Sequence, residues 1–252
     1  MTEKRVALVT GGAKGIGRAI AQRLANDGMR VCVADVDSAG AAVTARDLHE
    51  ESFSVEMNVS DVVSVQAAVE QVLASAGHID VLVNNAGIGQ RYALVPDTSP
   101  DEWEEVMRVN LRGPFLVCRA VLPTMMTRRF GRIINIASTS AIRPGSHVAA
   151  YNVSKYGVVG LTRTLAYEMG KYGITVNAVC PSMADTDLGH RSLSERAKLL
   201  GISADEFEQR WLSNVAIGRL TSPEDVANAV AFFADERAAI VTGEVLAVSG
   251  GI

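Results

Sequence analysis

Short apolar runs alternate with longer amphipathic stretches along almost the whole chain, and this alternation restricts the possible folds more than any other feature of the sequence. The runs are rich in β-branched residues and apolar throughout, which is typical of strands buried under helices on both faces of a parallel sheet. The sequence therefore predicts an α/β fold, a single-domain Rossmann-type doubly wound parallel sheet of about seven strands with helices on both faces. The predicted strands are Arg5–Thr10, Arg30–Asp35, Phe53–Met57, Ile79–Asn84, Gly131–Ser138, Ile174–Cys180 and Val245–Val248.

The stretches between these runs have the length of helices, and their ends carry helix signals. Ser99 and Ser222 are each followed by a proline and then acidic residues, as at helix starts. Gly28, Gly77 and Gly173 stand where helices are expected to end. The predicted helices are Ile16–Gly28, Ser38–Glu51, Asp61–Ala76, Asp101–Met126, Tyr151–Tyr172 and Pro223–Ala234.

The composition narrows the class of protein. A chain of 252 residues fits one dinucleotide-binding and catalytic domain over residues 1–252, because α/β folds often reach this length undivided. The net charge of −4 argues against a nucleic-acid partner, and no apolar run is long enough to span a membrane. Because Met1–Arg5 leads directly into the first strand, no signal peptide and a cytoplasmic location are predicted. Cys32, Cys118 and Cys180 lack metal-ligand spacing and lie in apolar stretches, which predicts buried reduced thiols and no metal site.

One segment, residues 183–215, breaks the alternating pattern. It is polar, charged and helix-prone, and it falls between two strands late in the chain. We interpret it as a substrate lid, with an ordinary surface excursion as the alternative.

A glycine-rich loop, Thr10–Gly17, follows the first predicted strand and opens the first predicted helix. In this position glycines let the backbone approach a pyrophosphate, whose charge the helix N-terminus stabilises. A Walker loop is excluded because no Gly-Lys-Ser/Thr follows, and the spacing also differs from G-x-G-x-x-G. The predicted cofactor residues in this loop are Gly11, Gly15, Ile16 and Gly17.

The second predicted strand ends at Asp35, 18 residues after Gly17. An acidic residue at this distance accepts hydrogen bonds from the ribose hydroxyls of a dinucleotide and repels a 2′-phosphate. The cofactor is therefore predicted to be NAD rather than NADP. Lys14 and Arg18 argue the other way, because either cation could pair with a 2′-phosphate.

Tyr151 and Lys155 are four residues apart on a predicted helix and so share one face. An ammonium beside a phenol favours the phenolate and is expected to lower the tyrosine pKa toward neutrality, as a general acid or base requires. Isolated pairs of this kind are common on exposed helices, so the rest of the sequence has to support a catalytic role.

Together with these motifs, the chain resembles the short-chain dehydrogenase/reductase family over essentially its full length. The resemblance rests on the loop Thr10–Gly17, on Asn84-Asn85-Ala86-Gly87 after the fourth strand, on Asn110 and Ser138, and on the Tyr151/Lys155 pair. It implies that hydride moves between a secondary alcohol or ketone carbon and the nicotinamide of NAD. Tyr151 would transfer the proton and Ser138 would hold the substrate oxygen. Lys155 would bind the nicotinamide ribose, and Asn110 would anchor a proton-exchanging water.

The resemblance also implies further contacts with the cofactor. Asn58 stands where the family usually has an aspartate for the adenine amine, and its side-chain oxygen is expected to accept the same hydrogen bond. Thr186 would contact the carboxamide. The remaining residues expected to line the cofactor are Val59, Asn85, Ala86, Gly87, Ala184 and Tyr151, the last also a catalytic residue.

The substrate pocket is expected to include Ser140, Arg143 and His147, which lie between Ser138 and Tyr151. The long segment before the last helix resembles that of NAD-dependent dehydrogenases of diols, polyols and hydroxy acids, and these or a cyclic alcohol are the first predicted substrates. The alternative is an NADPH-dependent 3-oxoacyl-[acyl-carrier-protein] reductase, and Asp35 and the net negative charge count against it.

Two other classes are less consistent with the chain. A catalytically silent dinucleotide-binding module could lose Ser138, Tyr151 or Lys155 without harm, yet all are present. A sugar epimerase or dehydratase on a related scaffold would need an additional C-terminal domain. The resemblance further implies a homotetramer, with the helices of Asp101–Met126 and Tyr151–Tyr172 packed against symmetry mates through small and apolar residues (Ala120, Val158, Val159 and Ala166).

Overall fold

The computed structural model describes residues 4–48 and 51–252, so residues 1–3 and 49–50 lie outside the described residues. The helix predicted at Ser38–Glu51 is shorter than expected, because it ends at Arg46 and Glu51 lies in a turn. One sheet of seven parallel strands, in the order β3-β2-β1-β4-β5-β6-β7, confirms the predicted Rossmann-type fold. The predicted strands are found with small shifts at their ends. They are β1 Val6–Thr10, β2 Arg30–Asp35, β3 Phe53–Glu56, β4 Val81–Asn84, β5 Gly131–Ile136, β6 Ile174–Pro181 and β7 Val245–Val248.

Helices cover both faces of this sheet. Ser99 and Ser222 each form a capping box with the acidic residue three positions later, as their sequence context predicted. The α-helices in the described residues are α1 Gly15–Asn26, α2 Ser38–Arg46, α3 Val62–Ala76, α4 Pro100–Met107, α5 Gly113–Arg128, α6 Ala149–Met169, α7 Asp187–Leu200, α8 Ala204–Leu212 and α9 Pro223–Ala234.

The helix predicted at Asp101–Met126 is not continuous. A π-helical turn at Arg108–Arg112 separates α4 from α5. Such turns leave backbone hydrogen bonds out of the α-helical register and occur frequently at functional sites. The apolar pattern did not show it, because one extra residue in a turn does not remove the apolar face.

Alternating side chains of the strands fill two cores. Leu8 on β1 points to the face covered by α3, α5 and α6, whereas its neighbours Ala7 and Val9 point to the face covered by α1 and α9. Burial on both sides explains why the strands are apolar throughout. The sheet is therefore a rigid platform whose strand ends position the loops.

The strand order reverses between β1 and β4, since β2 and β3 lie on one side of this pair and β5, β6 and β7 on the other. Because β1 and β4 are adjacent, the loops that follow them lie side by side. In open α/β sheets the ligand binds at this point, at the carboxyl ends of the strands. The glycine loop follows β1, and Asn85-Ala86-Gly87 follows β4.

Three of the four residues expected at a subunit interface face the inside of their own protomer. Val158, Val159 and Ala166 are buried in the isolated chain, so they do not present a surface to a partner. Exposed apolar side chains on the same helices, Phe115 and Tyr167, are better placed for that role. The homotetramer stays a prediction.

The three cysteines are buried and free, as predicted. Burial raises the pKa of Cys180 to about 11 and that of Cys118 to about 12, so neither thiol is a nucleophile at neutral pH. Among the described helices, none is both long and apolar enough to cross a membrane.

Candidate active site

The glycine loop is built so that its backbone remains accessible at the N-terminus of α1. Gly11 and Gly15 have φ values of +65° and +55°, a region that side chains rarely adopt. A Cβ atom on Gly11 would lie 2.7 Å from the Cα of Ala86, so a side chain there would fill the space between the two loops. This open cradle at a helix N-terminus fits a pyrophosphate, with Ile16 and Gly17 in the first turn of α1.

Asn85 fixes the glycine loop to the end of β4. Its side-chain amide donates to the carbonyls of Thr10 at 3.0 Å and Gly11 at 2.9 Å. The backbone N–H groups of Asn85 and Ala86 both donate to the Thr10 hydroxyl. The predicted residues of the two loops thus form one rigid unit at the switch point of the sheet.

Asp35 lies at the end of β2 with both carboxylate oxygens fixed. One oxygen accepts the backbone N–H of Ala13, in the glycine loop, at 3.0 Å, and the other accepts that of Asp37 at 3.0 Å. The two cations that could have neutralised a 2′-phosphate are paired elsewhere. Arg18 contacts Asp47 at 2.8 Å, and Lys14 lies 3.8 Å from Asp187.

At the other end of the site, Ser138 and Tyr151 face each other. Ser138 follows β5 and is buried, and its hydroxyl accepts the backbone N–H of Ser140 at 3.1 Å. Tyr151 lies in the first turn of α6, close enough to the Ser138 side chain for that side chain to lower its pKa. A hydroxyl and a phenol thus meet at one point, where both can contact a substrate oxygen.

Lys155 lies one turn further along α6, with its ammonium 5.6 Å from the centre of the Tyr151 ring. It donates to the carbonyl of Ile136 at 3.0 Å, and burial lowers its pKa to about 8. A Cβ atom on Gly87 would lie 3.5 Å from the Lys155 ammonium and 3.3 Å from the Asn110 side chain. The missing side chain of Gly87 therefore keeps a space open beside both residues.

The expectation that Lys155 lowers the pKa of Tyr151 is wrong for the protein without cofactor. Burial raises the pKa of Tyr151, and the Ser138 side chain and the more distant Arg196 charge oppose this only in part. The sequence showed the i, i+4 spacing but not the depth of the phenol in the fold, and desolvation is the largest influence on its pKa.

Asn110 sits in the π-helical turn, buried, and joins that turn to the loop after β4. Its side-chain amide donates to the carbonyl of Ile88 at 2.8 Å, and its oxygen accepts the Ile88 N–H at 2.8 Å. The same amide approaches the Ser154 hydroxyl at 3.4 Å. Asn110 thus holds the Gly87 region next to Lys155, and its expected role of anchoring a proton-exchanging water stays a prediction.

Asn58 does not have the free oxygen that was expected for the adenine amine. Its side-chain oxygen already accepts both the N–H and the hydroxyl of Ser60, at 3.1 and 2.7 Å. Because two donors occupy this acceptor, the expected hydrogen bond from the adenine is wrong for this conformation. Val59, its neighbour, is buried against Gly113.

The loop after β6 returns to the glycine loop. Thr186 caps α7 by accepting the N–H of Gly189, and its methyl group would lie 3.6 Å from a Cβ on Gly15. Ala184 pairs with Thr221 and is buried. Thr186 therefore lies opposite the glycine loop, across the space that a dinucleotide would occupy. The nicotinamide end of the cofactor is expected beside Thr186.

Of the three residues predicted for the substrate pocket, only one is found next to Ser138 and Tyr151. Ser140 contacts Ser138 through its backbone and lies next to the catalytic pair. Arg143 is exposed, and the His147 side chain meets Ser146 at 3.0 Å. In the part of the chain that the structure describes, no contact joins the side chains of Arg143 or His147 to Tyr151.

Three other residues near Tyr151 lie in segments, 89–92 and the predicted lid 183–215, that the sequence assigns to substrate specificity without naming these residues as site residues. The Gln90 side chain accepts the backbone N–H of Tyr151 at 2.7 Å. Tyr92 and Arg196 form a hydrogen-bonded pair whose charges act on Tyr151. Arg196 lies 45 residues further along the chain, on α7, and no local motif links it to the Tyr151 pair.

The fold and this site define a dinucleotide-binding α/β protein with a Ser–Tyr–Lys centre. A family model described as enoyl-(acyl carrier protein) reductase matches residues 11–252. The chain belongs to the short-chain dehydrogenase/reductase family, and it is an oxidoreductase acting on CH–OH or keto groups.

Individual relatives match over nearly their whole length. The 3-oxoacyl-[acyl-carrier-protein] reductase FabG of Vibrio harveyi is 39% identical over 250 residues, which are 99% of this chain and 98% of that protein. A structure of an actinorhodin polyketide ketoreductase variant with NADPH has a TM-score of 0.95 at 38% identity and covers 100% and 98% of the two chains. A 3-ketoacyl-(acyl-carrier-protein) reductase from Brucella melitensis complexed with NADH has a TM-score of 0.88 at 35% identity, covering 99% and 98%.

Proposed function

We propose that this chain is an NAD(H)-dependent oxidoreductase that interconverts 3-oxoacyl and 3-hydroxyacyl groups. The observation that carries the reaction is the meeting of the Ser138 hydroxyl and the Tyr151 phenol beside the buried Lys155 ammonium. The choice of a 3-oxoacyl group is supported by the names of the relatives, which favour this alternative over a polyol or diol dehydrogenase.

In the proposed reaction the residues of this chain act on the substrate oxygen. Ser138 donates a hydrogen bond that holds this oxygen, and Tyr151 supplies its proton when the ketone is reduced. NADH, when bound, supplies the hydride to the carbonyl carbon. Burial raises the pKa of Tyr151, which stabilises the protonated phenol that donates this proton.

The preference for NAD(H) is supported by Asp35. Its carboxylate is held at the loop where the adenosine ribose is expected. The cations Arg18 and Lys14 contact the carboxylates of Asp47 and Asp187. Two unit charges of the same sign about 4 Å apart repel by about 4 kcal/mol near a protein surface, which would disfavour a 2′-phosphate. The NADPH in the polyketide ketoreductase structure favours the opposite choice, whereas the NADH in the Brucella reductase shows that an acyl-carrier-protein reductase can hold NADH.

Asp35→Asn tests the cofactor assignment, because it removes the charge and retains an oxygen for the Ala13 N–H. We expect the wild type to prefer NADH over NADPH by at least about 100-fold in kcat/KM, and the variant to lose at least about tenfold of that preference. Asp37→Asn is the matched control, since Asp37 is an exposed carboxylate two residues away that caps α2. A wild type that prefers NADPH would contradict the assignment.

The substrate class is tested by comparing reduction of an acetoacetyl thioester with oxidation of polyols, diols and cyclic secondary alcohols, at matched cofactor saturation. The proposal predicts the highest kcat/KM for the 3-oxoacyl compound. Faster turnover of a polyol or cyclic alcohol would replace the proposed substrate with the class first predicted from the sequence.

A further inference from the structure

Arg196, on α7, brings a guanidinium to the substrate side of the site. A Cβ atom on Gly145 would lie 3.3 Å from its Nη2 atom, so the guanidinium lies against the loop that leads from Ser138 to Tyr151. The carbonyl of Gly145 in turn accepts the side-chain amide of Asn152, the residue after Tyr151, at 2.7 Å. Arg196 therefore lies against the loop between Ser138 and Tyr151, which the Asn152 amide joins to the start of the catalytic helix.

Two aromatic residues hold this guanidinium in place. Its Nε donates to the Tyr92 hydroxyl at 3.0 Å, and its central carbon lies 5.6 Å from the Tyr92 ring and 5.4 Å from the Trp211 ring. Tyr92 also hydrogen-bonds Ser192, one turn earlier on α7. Cation–π contacts with two rings fix the direction of the planar group and reduce the entropy lost when it binds a ligand.

The loop that carries Tyr92 is fixed to the catalytic helix. Gln90 accepts the N–H of Tyr151, and Ala93 donates its N–H to the carbonyl of His147 at 2.9 Å. The side chain of Leu188, in the first turn of α7, would lie 3.0 Å from a Cβ on Gly89, so the same helix also packs near the start of this loop. The position of Arg196 relative to Tyr151 is thus set by hydrogen bonds on both sides.

The charge of Arg196 has no partner of opposite sign in the part of the chain that the structure describes. Arg91 and Arg210, for comparison, are paired with Glu102 and Glu206 at 2.9 and 2.6 Å. Within the described residues the only hydrogen bond from Arg196 is the one from Nε, so the N–H groups of Nη1 and Nη2 have no protein acceptor. Its charge lowers the pKa of Tyr151, so its field extends to the reacting phenol.

We propose that Arg196 is a specificity-determining residue that binds the carboxylate of a free 3-oxo or 3-hydroxy acid whose oxygen lies between Ser138 and Tyr151. A half-buried, aromatic-bound guanidinium with two free pairs of N–H donors matches a carboxylate in geometry and charge. A thioester carbonyl carries no charge to satisfy it. The inference rests on the proposed function and narrows its substrate to the acid.

The test compares acetoacetate with methyl acetoacetate, which differ in the charge but have the same ketone, and with an acetoacetyl thioester. We expect the wild type to prefer the acid and Arg196→Gln to lower the acid-to-ester ratio of kcat/KM at least about tenfold, mainly through KM. Arg191→Gln is the matched control, because Arg191 is an exposed arginine on the same helix that contacts only the Asp187 carbonyl in the described residues. Arg196→Lys keeps the charge and should retain part of the preference.

Binding of butyrate to the NADH complex, measured by calorimetry, tests the carboxylate site independently of turnover. We expect the wild type to bind butyrate and Arg196→Gln to bind it at least about tenfold more weakly. Equal binding by both proteins, or binding by neither, would overturn the role of Arg196 even if thioesters are reduced. If no 3-oxo compound is turned over by the wild type, the proposed function fails, while the butyrate titration still decides the role of Arg196.

Discussion

Tyr151→Phe is expected to lower kcat/KM by about 10²–10⁴-fold, the usual contribution of a positioned general acid or base. The substitution removes only the hydroxyl, which in the structure meets the Ser138 side chain at the centre of the site. The ring, 5.6 Å from the Lys155 ammonium, remains, so NADH binding should change by no more than about twofold. Steady-state turnover and a fluorescence titration with NADH measure the two effects separately.

Tyr156→Phe provides the matched control for this substitution. Tyr156 lies on the same helix, is about half exposed, and its hydroxyl makes only a long contact with the Ile142 carbonyl at 3.5 Å. Its loss should leave turnover within about twofold, since this hydroxyl does not contact the reacting groups. If Tyr151→Phe retained more than a tenth of the wild-type activity, another group would have to be the proton donor.

The fold was predictable because the central strands β1, β4, β5 and β6 are buried on both faces and mostly apolar, a pattern typical of a covered parallel sheet. The β1 loop was predictable for a related reason. Gly11 and Gly15 have positive φ values, which are a local requirement of the backbone, whereas the amide of Asn85 bonds Thr10 across the switch point and was predicted from the family resemblance. Local sequence patterns report such local requirements well.

The features that were not predictable depend on contacts between distant parts of the chain. The Tyr151 pKa follows from burial under elements that the helix sequence does not contain, and desolvation reversed the expected direction. Asn58 was expected to contact the cofactor, but its neighbour Ser60 occupies its oxygen. Arg196 gains its meaning only when α7 packs against Tyr92 and Gly145.

Lys155 illustrates how the same burial that serves the site costs stability. The Lys155 residue is 5% exposed, and burial lowers the pKa of its ammonium from 10.5 to about 8. Because the folded protein binds this proton less tightly than the unfolded chain does, the penalty is fully present below pH 8. It decreases as the pH rises from about 8 toward 10.5, where both states lose the proton. This lowering of the Lys155 pKa corresponds to a loss of roughly 3 kcal/mol in the free energy of unfolding at neutral pH.

Lys155→Met is therefore expected to abolish measurable turnover while raising the free energy of unfolding of the cofactor-free protein by about 1–2 kcal/mol at pH 7. The gain is smaller than the full penalty because the Ile136 carbonyl loses its hydrogen-bond donor, at a cost of about 1 kcal/mol or more. The difference in stability between variant and wild type should narrow as the pH rises from 8 to 10, and urea unfolding at a series of pH values measures it.

The comparison reports mainly on Lys155, because the contributions of Tyr151 and Cys118, whose pKa values burial raises, are present in both proteins and cancel. Cys180 is the exception, since the Lys155 charge lowers the pKa of that thiol and the substitution removes this effect. Lys171→Met, at an exposed lysine beyond the end of α6, should change stability by less than about 0.5 kcal/mol and leave its pH dependence unaltered. If Lys155→Met destabilised the protein at pH 7 and the deficit did not change with pH, the buried ammonium would be a structural hydrogen-bond donor. In that case the burial of the Lys155 charge would not be a cost to stability that is retained for catalysis.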